Sequence, residues 1–354
     1  MTNRILRAAG SRFTRRIGLL AVVALVAAGT GCGGKSGKSG QRVPKVGLVF
    51  DLGGRGDGGF NDEAADGATR ASAGGKATVE FADGGEGTQR LDALRRLAKK
   101  GSNLVIAVGF LSSKDATIVA REFPGVHFAV IDYSLPVDEN GHAMDPPANL
   151  AGLNFREEKG AYLVGVMAAL TSRSHLVGFI GGMRSPMITK FEVGYAAGVR
   201  RVCGNCTLLT EYAGNTPVGF RDPVAGRALA LREYGRGADV IFQAAGATGS
   251  GVMTAALKSG RFVIGVDVDQ ASAAPGRVLT SMIKRIDVAV EDVINRERAG
   301  TFTAGVNSYG VAEGGIAYVY DGRNAPLIPD AVRMRVETLR AAITAGLITP
   351  PAVR

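Results

Sequence analysis

Histidine and cysteine are scarce in this chain: three of each among 354 residues, with no tryptophan at all. The scarcity argues against several function classes. His127, His142 and His175 show no metal-ligand spacing, and a structural zinc site wants about four ligands. No Ser/His/Asp or Cys/His set sits in a recognisable catalytic motif. Neither a metal nor a cofactor is expected, and the chain does not read as an enzyme. A concentrated basic stripe is missing too. The formal charge of +10 comes from 42 basic and 32 acidic side chains, but Arg4, Arg7, Arg12, Arg15 and Arg16 lie in a stretch, 1–31, that holds no acid. The rest of the chain carries an excess of five, spread along its length. That argues against nucleic acid as a partner.

What is present begins with an address. The arginine-rich start leads into an apolar run, Ile17–Ala28, shorter than the ~20 residues that span a bilayer. Small residues then lead to Cys32. The layout resembles a bacterial lipobox, with Gly29 where leucine is most common. The reading is a signal peptide over 1–31, a lipidated Cys32 and a Gly/Ser/Lys tether over 32–42. The alternative is a plain secreted protein in which Cys32 is incidental.

The folded part reads as repeated βα units. Val46–Phe50 is a buried strand that ends at Asp51, followed by a glycine-rich loop and then Phe60-Asn61-Asp62 at a helix start. Gln89–Lys100 places Leu91, Leu94, Leu97 and Ala98 on one helical face. Strands over 104–108 and 126–131 end at Gly109-Phe110 and Asp132. After an irregular stretch over 134–149, strand Leu150–Phe155 and helix Glu157–Thr171 lead into a second set. Its strands are 176–180, 207–212, 238–244 and 261–266, the last ending at Asp267. Strands over 278–282 and 302–306 flank helix 286–298, and a helix over 330–345 closes the chain. The fold class is α/β, with two doubly wound lobes whose ligands sit outside the strand carboxyl ends. Lobe 1 is assigned 43–153 plus about 279–303, and lobe 2 is assigned 154–278 plus about 304–354. Hinge closure around a ligand is the natural motion of such a clamshell.

Two further motifs need weighing. Cys203-Gly204-Asn205-Cys206 admits redox, zinc or structural readings, and a small disulfide suits an oxidising compartment. The loop Gly246-Ala247-Thr248-Gly249-Ser250-Gly251 lacks the Lys-Ser/Thr of a P-loop and the spacing of a dinucleotide fingerprint. It reads as close backbone approach to a neutral ligand. Arg55-Gly56-Asp57 spells an adhesion tripeptide by coincidence.

Taken in order, VGLVFDLGGRGDGGFND (46–62), FAVIDY (128–133), GFIGGMRSPMITKFEVGY (178–195), VIFQAAGATGSGV (240–252), GVDVDQ (265–270) and TSMIKRIDVAV (280–290) resemble the basic membrane protein family of bacterial substrate-binding lipoproteins, also called the purine nucleoside receptor A-like family. The resemblance runs from about Lys45 to Gly315. It implies a type I periplasmic-binding-protein fold with a nucleoside between two lobes, delivered to the permease of an ABC transporter. It also implies roles. Phe60 and Phe191 would sandwich the base. Asp51, Asn61 and Asp132 would hydrogen-bond its edge or shape its pocket, and Gly246, Asp267 and Lys284 would hold the ribose. Gly58-Gly59 and Arg184 depart from the family pattern.

The expectation is therefore a monomeric, lipid-anchored lipoprotein of the cell envelope, facing the periplasm or exterior, that captures a nucleoside. Alternatives are a receptor or sensor for another small polar ligand such as a sugar, and a secreted nucleoside hydrolase. The hydrolase reading is weakened because Asp51 and Asp57 lack the aspartate run that such enzymes carry behind their first strand.

Overall fold

The computed structural model describes residues 42–353. Cys32, the signal-like stretch and nearly all of the tether lie outside the described residues. Among the described residues no helix is long and apolar enough to cross a membrane.

The first set of elements is β1 (Lys45–Phe50), α1 (Phe60–Ser72), β2 (Thr78–Asp83), α2 (Gln89–Lys99), β3 (Leu104–Ala107), α3 (Ser113–Glu122), β4 (His127–Ile131) and β5 (Leu150–Phe155). The second is α4 (Glu157–Thr171), β6 (Leu176–Met183), α5 (Pro186–Val202), β7 (Thr207–Gly214), α6 (Pro223–Gly235), β8 (Val240–Ala244), α7 (Gly249–Ser259), β9 (Phe262–Asp267) and β10 (Val278–Lys284). The chain ends with α8 (Ile286–Ala299), β11 (Gly305–Tyr309), β12 (Ile316–Tyr318) and α9 (Asp330–Thr344). Two six-stranded sheets result, ordered β11-β5-β4-β3-β1-β2 and β12-β10-β9-β8-β6-β7. Every pairing is parallel except β10 with β12.

Parallel strands need cover on both faces, so their sequences are continuous apolar runs. All four residues of β3 and the last five of β1 are buried. Leu94 and Leu97 of α2 and Val119 of α3 cover one face of the first sheet, against Val49, Val105 and Val130. Ala64 and Ala68 of α1 and Val290 and Val293 of α8 belong to the core on its other face, with Leu48 and Ile106. Local signals set the helix starts. Ser185 Oγ accepts from Ile188 N at 3.3 Å with Pro186 in the first turn of α5, and Asp222 Oδ1 accepts from Ala225 N at 2.9 Å ahead of Pro223 in α6.

The chain passes between the sheets three times, after β5, after β10 and between β11 and β12. Backbone hydrogen bonds tie these crossings together: Arg156 N to Tyr309 O at 3.0 Å and Arg285 N to Gly315 O at 2.9 Å. The lobe boundaries expected from sequence need correction here. Residues 278–284 were assigned almost wholly to lobe 1, yet β10 pairs with β9 and β12 in the second sheet. Residues 304–309 were assigned to lobe 2, yet β11 pairs with β5 in the first. The first crossing also falls after Phe155, not after 153. An apolar strand suits either sheet equally well, so its sequence does not say which neighbours it joins. Two strands have no counterpart in the sequence reading. β2 is an edge strand with only Ala82 buried, and β12 has three residues.

Helices α4 and α5 pack through glycine. A Cβ at Gly198 would stand 2.0 Å from Tyr162 O, and one at Gly165 2.3 Å from Tyr195 O. Gly198→Ala is expected to lower stability by about 1–3 kcal/mol through overpacking. Gly235→Ala, which meets nothing within 4 Å, should leave stability equal or slightly higher. Chemical denaturation of the two variants checks the contrast.

Glu233 of α6 is wholly buried, and among the described residues neither carboxylate oxygen has a hydrogen-bond partner. Burial, helped by nearby Glu211, pushes it from an ordinary 4.5 up to about 9. Between those values the folded chain holds a proton that the unfolded chain has released. Its stability contribution is therefore complete at low pH and is lost as pH rises toward 9. Glu233→Gln should flatten that slope, read as melting temperature against pH.

Candidate functional site

Between the lobes lies a cavity enclosing about 710 Å³ of empty space, part of it open to solvent. It gathers all eight positions singled out from sequence: Asp51, Phe60, Asn61, Asp132, Phe191, Gly246, Asp267 and Lys284. They arrive from both lobes because each sits at or just beyond a strand's carboxyl end, or on the first turns of a following helix. Asp51 follows β1, Phe60 and Asn61 open α1, and Asp132 follows β4. Phe191 lies on α5, Gly246 follows β8, and Asp267 and Lys284 end β9 and β10.

The first loop is built around Asp57. Its carboxylate accepts from the backbone N–H groups of Gly59 at 2.9 Å, Asn61 at 2.9 Å and Asp62 at 3.3 Å, and from Asn61 Nδ2 at 3.0 Å. This neutralises unpaired donors at the start of α1. Asn61 Oδ1 in turn accepts from Asp51 N at 2.8 Å. Asn61 thus shapes the pocket by joining the end of β1 to the start of α1. The Asp57 carboxylate is committed to this cap, while the Arg55 guanidinium lies 5.3 Å from the centre of the Phe81 ring, so the adhesion tripeptide is not displayed as a unit.

Lys284 is 1% exposed. Its ammonium donates to Asp132 Oδ1 at 2.7 Å and Oδ2 at 2.6 Å, and stands 3.1 Å from Glu157 Oε1. Lys190 approaches the other oxygen of Glu157 at 3.2 Å. The ammonium also lies 5.2 Å from the Phe60 ring centre and 4.9 Å from that of Phe155, within cation–π range. Burial works against its charge, but Asp132, Glu157 and Asp267 outweigh it and hold Lys284 protonated above its ordinary value. In this state its donors are spent on the two acids.

Asp267 is the counterpoint. It is 9% exposed, and among the described residues no protein donor hydrogen-bonds its carboxylate. Burial, opposed by Lys284, pushes it up to about 7. Asp51, whose Oδ1 is buried without a hydrogen-bond partner among the described residues, is pushed by burial up to about 6. Asp132 and Asp267 both have left-handed backbone, with φ of 61° and 67°. That conformation costs most residues about 1–2 kcal/mol, and aspartate is among the few that tolerate it.

Four phenylalanines line the cavity: Phe60, Phe110, Phe191 and Phe220. Phe191 is 3% exposed and packs on Phe242, ring centres 6.4 Å apart. Phe110 and Phe220 were not singled out from sequence. They meet edge to face across the cleft, 6.3 Å apart, and an ion pair between Glu86 and Arg221 joins the lobes nearby in sequence. Phe110 carried a signal, since it follows a glycine at a strand end. Phe220 lies in a short 3₁₀ turn without periodicity, so nothing local marked it. Gly182 lies against its ring, where a Cβ would come within 2.3 Å of Phe220 Cδ1. Gly246 has φ of 57° and lines the cavity with Ala247, so the glycine-rich loop does present backbone there. Arg184 is not a lining residue; its guanidinium sits 4.2 Å from the centre of the Tyr212 ring.

Lys284→Met should destabilise the chain by about 3–5 kcal/mol, because Asp132 and Glu157 would be left buried with too little compensation. Urea unfolding at neutral pH measures this, and a change below 1 kcal/mol would contradict the buried pairing.

Comparison with known proteins agrees with this architecture. A family model described as ABC transporter substrate-binding protein PnrA-like matches residues 44–339. The chain is 34% identical to basic membrane protein A of Borreliella burgdorferi over 308 residues, covering 86% of each. It is 32% identical to the ABC transporter nucleoside-binding protein BmpA of Lactococcus lactis over 265 residues, 70% of this chain and 72% of the relative. Among solved structures, an ABC transporter solute-binding protein from Aeropyrum pernix superposes with a TM-score of 0.77 at 27% identity, over 87% of this chain and 94% of that one.

Proposed function

The chain belongs to the PnrA-like family of ABC transporter substrate-binding proteins, and we propose that it is an extracytoplasmic lipoprotein, anchored through Cys32, that captures a nucleoside, with a purine favoured. The family is one of binding proteins rather than enzymes, and binding proteins of this kind work outside the cytoplasm with a permease as partner.

The observation that carries the ligand assignment is the pairing of aromatic walls with an unpartnered buried carboxylate in one interlobe cavity. Phe60 faces the cavity from lobe 1, and Phe191 and Phe220 face it from lobe 2. Flat rings accept any base, and such stacking is worth ~1–3 kcal/mol per base. Among the described residues Asp267 lacks a protein donor. A carboxylate there can accept from two vicinal hydroxyls at once, which suits a ribose. The Gly246 backbone leaves room for the sugar to approach. Lys284 acts from beneath, by holding Asp132 and the surrounding charge in place. Asp51, Asp57, Asp132 and Asp267 against one lining lysine favour an uncharged ligand rich in O–H and N–H donors. A sugar would use Asp267 in the same way, but it would leave the aromatic walls with little to stack on.

The test is isothermal titration of ligand-stripped protein against adenosine, guanosine, inosine, cytidine, uridine and ribose. Nucleoside binding without chemical conversion is expected, and ribose alone should bind far more weakly. Asp267→Asn, which tolerates the same left-handed backbone, should weaken binding about tenfold or more while leaving the melting profile intact; unchanged affinity would remove the ribose assignment. If the ligand needs ionised Asp267, affinity should fall as pH drops below about 7, approaching tenfold per unit. Heat from none of the ligands would remove the nucleoside.

A further inference from the structure

The mouth of the cleft is spanned by contacts between the lobes. Phe110 of lobe 1 and Phe220 of lobe 2 meet edge to face, ring centres 6.3 Å apart, and both line the cavity. Glu86 of lobe 1 pairs with Arg221, the residue after Phe220, and neither lines the cavity. Their side chains are 64% and 41% exposed, so the ion pair lies on the solvent side of the rings. Chain connectivity does not impose these contacts. The three crossings fall at 155–157, 284–286 and 309–316, and all four residues lie far from them in sequence.

Each side of the mouth is firmly mounted. Phe220 ends a 3₁₀ turn, Pro217–Phe220. The buried Thr248 hydroxyl donates to Gly219 O at 2.7 Å and accepts from Asp222 N at 2.7 Å, bracketing Phe220 and Arg221. A Cβ at Gly219 would stand 2.4 Å from Gly182 O, so the turn sits directly on β6. Phe110 opens a 3₁₀ turn after β3, where Ser112 Oγ donates to Val108 O at 2.9 Å and Ser113 Oγ to Phe110 O at 2.8 Å. Glu86 N donates to Gln89 Oε1 at 3.2 Å, at the start of α2. Residues held this way cannot follow one another when the lobes part, so opening breaks both contacts.

We propose that Phe110, Phe220, Glu86 and Arg221 form a latch across the mouth, which favours the closed lobes by protein contacts alone and sets how long a captured molecule stays. The edge-to-face geometry adds to what burial of the two rings contributes. The exposed ion pair is weaker and sensitive to salt. A molecule enclosed between the lobes leaves only after they open, so contacts present in the closed form alone slow dissociation more than association. The residence part of the proposal rests on the nucleoside reading; the closure part does not.

Glu86→Arg sets like charges against each other outside the cavity lining, and combining it with Arg221→Glu restores an opposite pair. Small-angle X-ray scattering of the ligand-stripped full chain reads closure, without reductant so that the Cys203–Cys206 disulfide stays intact. Glu86→Arg and Phe110→Leu should each raise the radius of gyration, and the double charge reversal should return it. Stopped-flow dissociation of adenosine, guanosine and inosine reads residence. The rate should rise about two- to fivefold in Glu86→Arg and about two- to tenfold in Phe110→Leu, with association changed far less. Added salt should speed dissociation from the unaltered chain and slow it from Glu86→Arg. A radius of gyration unchanged in both single variants, or one that stays raised in the double reversal, overturns the latch whether or not a nucleoside binds. A widened chain with unchanged dissociation overturns its role in residence. Binding of none of the three nucleosides removes the ligand reading and the residence role, and leaves scattering to decide closure.

Discussion

A lysine ammonium buried between two sheets must be met by carboxylates, because removing it from water costs several kcal/mol. Lys284 is the last residue of β10, one position before the chain leaves the second sheet. Its partners come from different places. Asp132 follows β4 in the first sheet, and Glu157 begins α4 just after an earlier crossing. Lys190 on α5 extends the chain of charges to a further helix. The ion cluster is satisfied only when both crossings and both lobes are in register. The hinge geometry and the floor of the cavity are therefore one physical problem, and the backbone bonds at Arg156 and Arg285 hold the same crossings from the main-chain side.

The cluster also divides labour among the cleft acids. Asp132 and Asp267 occupy equivalent strand-end positions in the two lobes and share left-handed backbone. One is bound on both oxygens by Lys284, while the other has no protein donor among the described residues. An acid held in a strained conformation, buried and unpartnered is poised for an incoming donor, and its raised pKa expresses the same lack. Rigid lobes make the arrangement usable. Close glycine contacts lock α1 to α8 at Gly67 and α4 to α5 at Gly165, Gly194 and Gly198, which leaves the crossings as the natural place for motion.

Much of this was open to sequence reading. Apolar runs ending in Asp51, Asp132 and Asp267 mark parallel strands whose carboxyl ends face the interlobe cavity, because the βα repeat places every such end on one edge. The aromatic and amide at Phe60-Asn61 follow from the same rule. The edge strand β2 escaped because only one of its residues is buried. Phe220 escaped because a 3₁₀ turn has no periodicity to announce which way a side chain points.

By itself the sequence determined the α/β class, the family and eight of the positions that line the cavity, since local hydrophobic pattern and strand-end chemistry are written residue by residue. Only the tertiary structure decided which sheet β10 and β11 join, that Lys284 is committed to Asp132 and Glu157 while Asp267 is left unpartnered, and that His175 stands beside Cys203. Lys284 and Asp132 lie 152 positions apart along the chain, and His175 and Cys203 lie 28 apart. Such pairings depend on how the strands order themselves in space, which no local stretch of sequence encodes.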